Sequence, residues 1–314
     1  MVEYSEADEK RYKEELRGKI LDLKTEKNAC ILAHNYQREE IQDIADIKGD
    51  SLDLSRAASK VDQPVIVFCG VRFMAEIASV LNPEKTILLP VKEAGCPAAD
   101  MITVESLRAK KEKFPDAAVV CYVNSSAEIK AESDVCCTSR NAIKVVNSLK
   151  DYKQIIFIPD SNLARWVQSR VPDKEIIPWK GVCPTHIRVS KEEFQKAKRD
   201  HPNAELIVHP ECELNILALA DYVGGTGGMI DYVKNSQCKE FIVGTEMGLI
   251  YRLKKESPDK FFYSPSKHFI CADMKLTTLG WVARALDLME YEVKVEKDTR
   301  IRAKRALDRM LEIG

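Results

Sequence analysis

The chain has 314 residues, 45% of them apolar and 31% charged, with 48 basic against 49 acidic side chains and a formal net charge of −1. So even a balance leaves no basic footprint for nucleic acid and no polybasic membrane anchor, and no run approaches the roughly eighteen apolar residues of a membrane span. The length allows two or three domains.

In chain order, residues 1–27 are rich in Glu and Lys with apolar positions at helical spacing, which predicts a helix over 7–26 and lacks the apolar core of a secretory signal. Short runs rich in Val, Ile, Leu and Phe then alternate with stretches of helical period, the pattern of βαβ units and parallel sheets. The first set of runs is 29–33, 65–68 and 86–89, with helical stretches at 41–45, 52–59 and 72–81. A second set falls at 117–121, 154–158 and 175–177, and a third at 205–208, 240–243 and 260–263. Residues 277–314 read as one or two helices, with Arg and Lys on a polar face, packing back on the assembly.

The three sets are copies of one unit. Cys96, Cys183 and Cys271 lie 87 and 88 residues apart, each shortly after Pro90, Pro178 or Pro265. His34, Tyr122 and His209 lie 88 and 87 apart, and seventeen residues after each stands a hydroxyl, Ser51, Ser139 and Thr226. A repeat this long predicts an α/β protein of three three-layer αβα units, each with a small parallel sheet of three strands, around a pseudo-threefold axis. The expected units are 1–104, 105–191 and 192–276, followed by the helical segment 277–314. Landmarks at the carboxyl ends of parallel strands belong at a ligand site.

Ten cysteines without an export signal point to the reducing cytoplasm, where thiols are ligands, nucleophiles or small core residues. Cys30, Cys69 and Cys121 sit in or beside strand-like runs and read as core. Cys136 and Cys137 are adjacent, just before Thr138 and Ser139, while Cys212 and Cys238 have no repeat counterpart. The periodic trio lies in loops and suits a metal. None of the three has the local Cys partner usual in structural zinc sites. Three thiolates around a [4Fe–4S] cluster would leave one iron open as a Lewis acid. The bland alternative is an ancestral unit that simply buried a cysteine there.

Ser51, Ser139 and Thr226 stand where helices start and are expected as N-caps, positions that also favour anions. Gly224 to Gly228, interrupted only by Thr226, allows close backbone approach to a ligand. His34, Tyr36, Tyr122, Asn124, His209 and Glu211 supply proton donors, acceptors and an orienting amide. His186, His201 and His268 have no periodic support and are expected to be structural.

The segments His34–Asn35–Tyr36, Gly49–Asp50–Ser51–Leu52, Tyr122–Val123–Asn124–Ser125, Thr138–Ser139–Arg140–Asn141, His209–Pro210–Glu211–Cys212 and Cys271–Ala272–Asp273–Met274–Lys275 closely resemble the A-type quinolinate synthase family, over about residues 30–279. That resemblance implies a triplicated α/β fold with one [4Fe–4S] cluster held by Cys96, Cys183 and Cys271. It implies condensation of iminoaspartate with dihydroxyacetone phosphate to quinolinate, losing phosphate and water, in NAD biosynthesis, coupled to an enzyme that supplies iminoaspartate. The implied substrate-binding residues are His34, Ser51, Tyr122, Val123, Asn124, Ser139, His209, Pro210, Glu211 and Thr226, with Tyr36, Glu211 and His209 catalytic. Gly225 departs from the family, in which many members have Ser, and no cysteine follows Cys271 to form the Cys-x-x-Cys-x-x-Cys of some bacterial members. Two rivals are an S-adenosylmethionine-cleaving enzyme of the diphthamide-synthesis type and a non-catalytic electron carrier or iron sensor. Neither has a use for the His/Tyr and His/Glu pairs.

Overall fold

The apolar runs form the strands of three sheets in the computed structural model, which describes residues 6–314. Residues 1–5, the start of the first expected unit, lie outside the described residues. The first sheet contains β1 (Ala29–His34), β2 (Ile47–Gly49), β3 (Val65–Cys69) and β4 (Thr86–Leu88). The second contains β5 (Ala118–Tyr122), β6 (Val135–Cys137), β7 (Gln154–Ile158) and β8 (Glu175–Pro178), and the third β9 (Glu205–Val208), β10 (Tyr222–Val223), β11 (Glu240–Gly244) and β12 (Phe261–Tyr263). All pairings are parallel, and the orders β2-β1-β3-β4, β6-β5-β7-β8 and β10-β9-β11-β12 are the same topology three times. The chain is therefore an α/β protein of three repeated units.

Each sheet has four strands rather than the expected three. The additional strand is only two or three residues long, too short for an apolar period to register. It is fixed instead by an aspartate. Asp46, Asp134 and Asp221 each precede it, and each carboxylate accepts the backbone N–H of Ile31, Val119 or Leu206 on the central strand at 2.8, 2.7 and 2.7 Å.

Successive side chains along a strand point to opposite faces, and the first sheet divides its core accordingly. Ile31, Ala33, Val65 and Val67 pack with Ile20 of helix Glu6–Glu26 and with Leu279, Val282 and Leu286 of helix Leu279–Leu288. Leu32, Ile66 and Phe68 face the other way, onto Leu52 and Leu54 of helix Ser51–Ala58 and a core shared with the second sheet. Burying one such side chain stabilises by about 1.5–3 kcal/mol, so both faces must be covered. The third sheet repeats the pattern, with Ile207, Phe241 and Val243 against Met229, Ile230 and Leu249.

The carboxy-terminal segment forms two helices, Leu279–Leu288 and Lys297–Ile313. After Leu279–Leu288 the chain lies along the edge of β4, where Val293 N–H donates to Ile87 at 2.8 Å and Leu89 N–H to Tyr291 at 3.1 Å. This covers an edge that would otherwise offer unpaired backbone groups. Helix Lys297–Ile313 then packs on β6, on helices Ala127–Ala131 and Ala142–Ser148 of the second unit, and on helix Arg72–Leu81 of the first. No helix among the described residues is long and apolar enough to cross a membrane.

Candidate active site

Parallel strands place all their carboxyl ends on one side, and the three sheets aim those ends at a common cavity of about 280 Å³. His34, Tyr36, Ser51, Tyr122, Asn124, Ser139, His209, Glu211 and Thr226 line it, together with Cys96, Cys183 and Cys271. Val123 and Pro210 do not: Val123 is buried in the core, and Pro210 is buried between His209 and Glu211.

Glu211 is the electrostatic centre. Its Oε2 lies 3.0 Å from His186 Nδ1 and 3.2 Å from His209 Nδ1, and Asn124 Nδ2 donates to its Oε1 at 3.4 Å. Burial alone would push this carboxyl up, but the two imidazoles hold it well below the usual carboxylate range. Two chains of polar groups start there. One runs from Glu211 through His209 to the Ser139 hydroxyl, 3.1 Å from His209 Nε2. The other runs through His186 to the Thr245 hydroxyl at 2.9 Å and on to the Tyr36 hydroxyl at 2.6 Å. Burial first, then the Glu211 charge, keeps the phenols of Tyr36 and Tyr122 well above their ordinary value, so both are un-ionised donors. Burial pushes His34 down to about 3, and His209 is also lowered by burial.

His186, expected to be structural, lines the same cavity. It is 1% exposed, stacks on His209 at 4.7 Å between ring centres, and joins Glu211 to Thr245. It lacks a periodic counterpart, which is why the repeat passed over it. The available signal was Cys183–Pro184–Thr185–His186: on helix Pro184–Ile187 a residue three after the cap returns toward it, and His186 Nδ1 lies 3.1 Å from Cys183 Sγ.

The hydroxyls are not N-caps. Asp50 caps helix Ser51–Ala58, accepting the N–H groups of Leu52 and Asp53 at 2.9 and 2.8 Å. Ser51 opens that helix, Thr226 opens helix Thr226–Asn235 after Gly225, and Ser139 precedes helix Ala142–Ser148, whose N-cap position Asn141 occupies without a side-chain bond to the helix. A carboxylate is a stronger acceptor than a hydroxyl, and with the cap position occupied by Asp50 the Ser51 hydroxyl is left to face the cavity.

The hydroxyl loops are tied across units. Asn35 Nδ2 donates to Thr226 Oγ1 at 2.8 Å, and Arg140 of the second unit lies 3.1 Å from Asp53, 3.7 Å from Asp50 and 2.8 Å from Asp231. A Cβ at Gly225 would meet Ser139 Oγ at 2.5 Å, and one at Gly227 would meet Asp50 Oδ2 at 2.5 Å and Arg140 Nη1 at 2.7 Å. Glycine at 225 thus lets two loops approach. Arg140, Thr245 and the acidic partners of Arg140 were all outside the periodic set.

The cysteine trio is half-buried, whereas Cys30, Cys69, Cys121, Cys136, Cys137 and Cys212 are buried in the core. Burial pushes Cys96 up to about 12 and Cys183 well above its ordinary value, and Cys271 is raised too; Cys96 feels Cys271, and Cys183 feels Glu211 and Cys96. Thiols that share a cavity and are kept protonated there by burial fit a cationic metal group, which binds thiolates and releases their protons. A second donor set overlaps the trio, because ligand atoms of Cys183, His186 and Glu211 lie within 4.8 Å of one another.

Comparison with known proteins gives one consistent result. A family model described as "NadA: Quinolinate synthetase A protein" matches residues 18–312. A quinolinate synthase of Thermodesulfovibrio yellowstonii is 54% identical over 292 residues, 93% of this chain and 96% of that protein. Quinolinate synthases of Clostridium kluyveri and Methanosarcina barkeri are 55% and 54% identical, each covering 95% of this chain and 98% of the relative.

Proposed function

The chain belongs to the quinolinate synthetase A family of enzymes, and from that membership we propose that it condenses iminoaspartate with dihydroxyacetone phosphate to quinolinate, releasing phosphate and water, for NAD biosynthesis. The observation that carries this reading is Glu211, an ionised buried carboxylate with a hydrogen-bonded route to a serine on one side and to a tyrosine on the other. Ring formation joins carbons, makes an imine and expels water, and every step moves protons. Glu211 takes a proton as base, with His209 orienting the Ser139 hydroxyl. Tyr36, un-ionised and joined through Thr245 to His186, gives one back. Ser51, Ser139 and Thr226, with Asn124, offer hydroxyl and amide hydrogen bonds to the carboxylates of one substrate and the phosphate of the other. His34 is a neutral imidazole that binds without adding charge.

Cys96, Cys183 and Cys271 would hold a [4Fe–4S] cluster, which when bound supplies an iron without a protein ligand as a Lewis acid for the departing oxygen. His186 and Glu211 then remain free for proton transfer. The overlapping set of Cys183, His186 and Glu211 favours a second reading, a single metal ion that would occupy the base.

Anaerobic assay for quinolinate from the two substrates, with iron and sulfide counted on the same sample, tests both. Quinolinate with about four iron and four sulfide per chain is expected. A single metal without sulfide would replace the first reading with the second, and no quinolinate would reject the reaction.

A further inference from the structure

The three cysteine loops share one backbone hydrogen bond and differ in the side chain beside its donor. In every unit, a residue at the start of the helix after the second long strand donates its N–H to the carbonyl two residues before the cysteine. The bonds are Arg72 to Ala94 at 2.8 Å, Ser161 to Gly181 at 2.8 Å and Met247 to Phe269 at 3.0 Å. The residue just before each donor is Val71, Asp160 or Glu246. In the second unit Asp160 accepts the N–H of Cys183 at 3.0 Å and, with its other oxygen, that of Leu163 at 2.7 Å. In the third, Glu246 accepts the N–H of Cys271 at 3.3 Å and that of Gly248 at 2.7 Å. Each carboxylate thus braces its cysteine loop against the next helix, and both are almost completely buried. Lys275, 2.9 Å from Glu246, adds a counter-charge in the third unit. Val71 occupies the same place in the first unit and has no acceptor to offer.

We propose that Asp160 and Glu246 are positioning residues for the metal-binding thiolates, and that Cys96, without such a brace, is the ligand released first when the metal group is lost. The proposal rests on the reading that the trio holds an iron–sulfur group. Anaerobic protein is treated with the ferrous chelator bathophenanthroline and iodoacetamide together, and alkylation of each cysteine is followed by peptide mass spectrometry. In the wild type Cys96 is alkylated ahead of Cys183 and Cys271. Residues that orient metal ligands typically contribute 10–100-fold to metal affinity, so Asp160→Asn should speed iron loss by about tenfold or more and bring Cys183 level with Cys96. Glu246→Gln should do the same for Cys271 alone, and it serves should the Asp160 variant not fold. Equal release of all three cysteines in loaded wild type overturns the proposal, as does a variant that exposes all three alike. Wild type free of iron and sulfide would remove the metal reading itself, and the proposal with it.

Discussion

The two ends of the cavity share one period, and their landmark residues are held in different ways. Cys183 and Cys271 are braced from within their own units, by Asp160 and Glu246. The hydroxyl loops are held by neighbours: Asn35 of the first unit on Thr226 of the third, His209 of the third on Ser139 of the second, and Arg140 of the second on carboxylates of the other two. The contrast suits the two tasks proposed. Holding a permanent group requires a stiff local loop, whereas matching two anions requires the spacing between loops, which only contacts across units can set.

The largest effect should come from the cysteine end. Cys183→Ala should abolish both iron binding and quinolinate formation while the protein stays folded by circular dichroism; retained iron would mean that this end does not hold the metal. Next comes Glu211→Gln, which keeps iron but should lower turnover by about 10²–10⁴-fold, the usual contribution of a positioned acid or base. Unchanged turnover would remove Glu211 from the chemistry. Arg140→Ala probes the hydroxyl end alone. It should cost about 1–2 kcal/mol of substrate binding, a KM rise of roughly five- to thirty-fold with kcat and iron content nearly intact. Arg140→Lys should restore only part of this, because lysine cannot fork between carboxylates. Lost iron in either variant would show the two ends to be coupled.

The smallest effect is on acid stability. His34 is pushed from 6.5 down to about 3, so between these values the unfolded chain holds a proton that the folded chain does not. Stability is therefore complete above the unfolded value and falls as pH drops toward 3. Thermal unfolding should come at lower temperature near pH 5 than near pH 7.5, and His34→Gln should shrink the difference. A pH-independent midpoint would contradict a buried neutral His34.

Short runs rich in Val, Ile, Leu and Phe and the 87–88 residue repeat made the long strands, their units and most of the cavity lining legible in the sequence. What repeats in chemistry but not in residue type was harder to see. Asp46, Asp134 and Asp221 keep the period and mark the short strands, yet each is one charged residue in a turn, where aspartate is common. Asp160 and Glu246 were hidden because the first unit has Val71 in their place. His186, Thr245 and Arg140 act through contacts between units, and such contacts follow from how three sheets meet rather than from spacing along one chain.

Helix Lys297–Ile313 seals Ala303, Ala306, Leu307 and Met310 against the first two units. During synthesis the ribosome must make the whole third sheet before that helix exists. The apolar surface of β6 and helix Ala127–Ala131 therefore waits uncovered through that interval. A nascent chain stalled anywhere in the third unit should present this surface to chaperones, and the first two units should become a finished pair only after the third has been made.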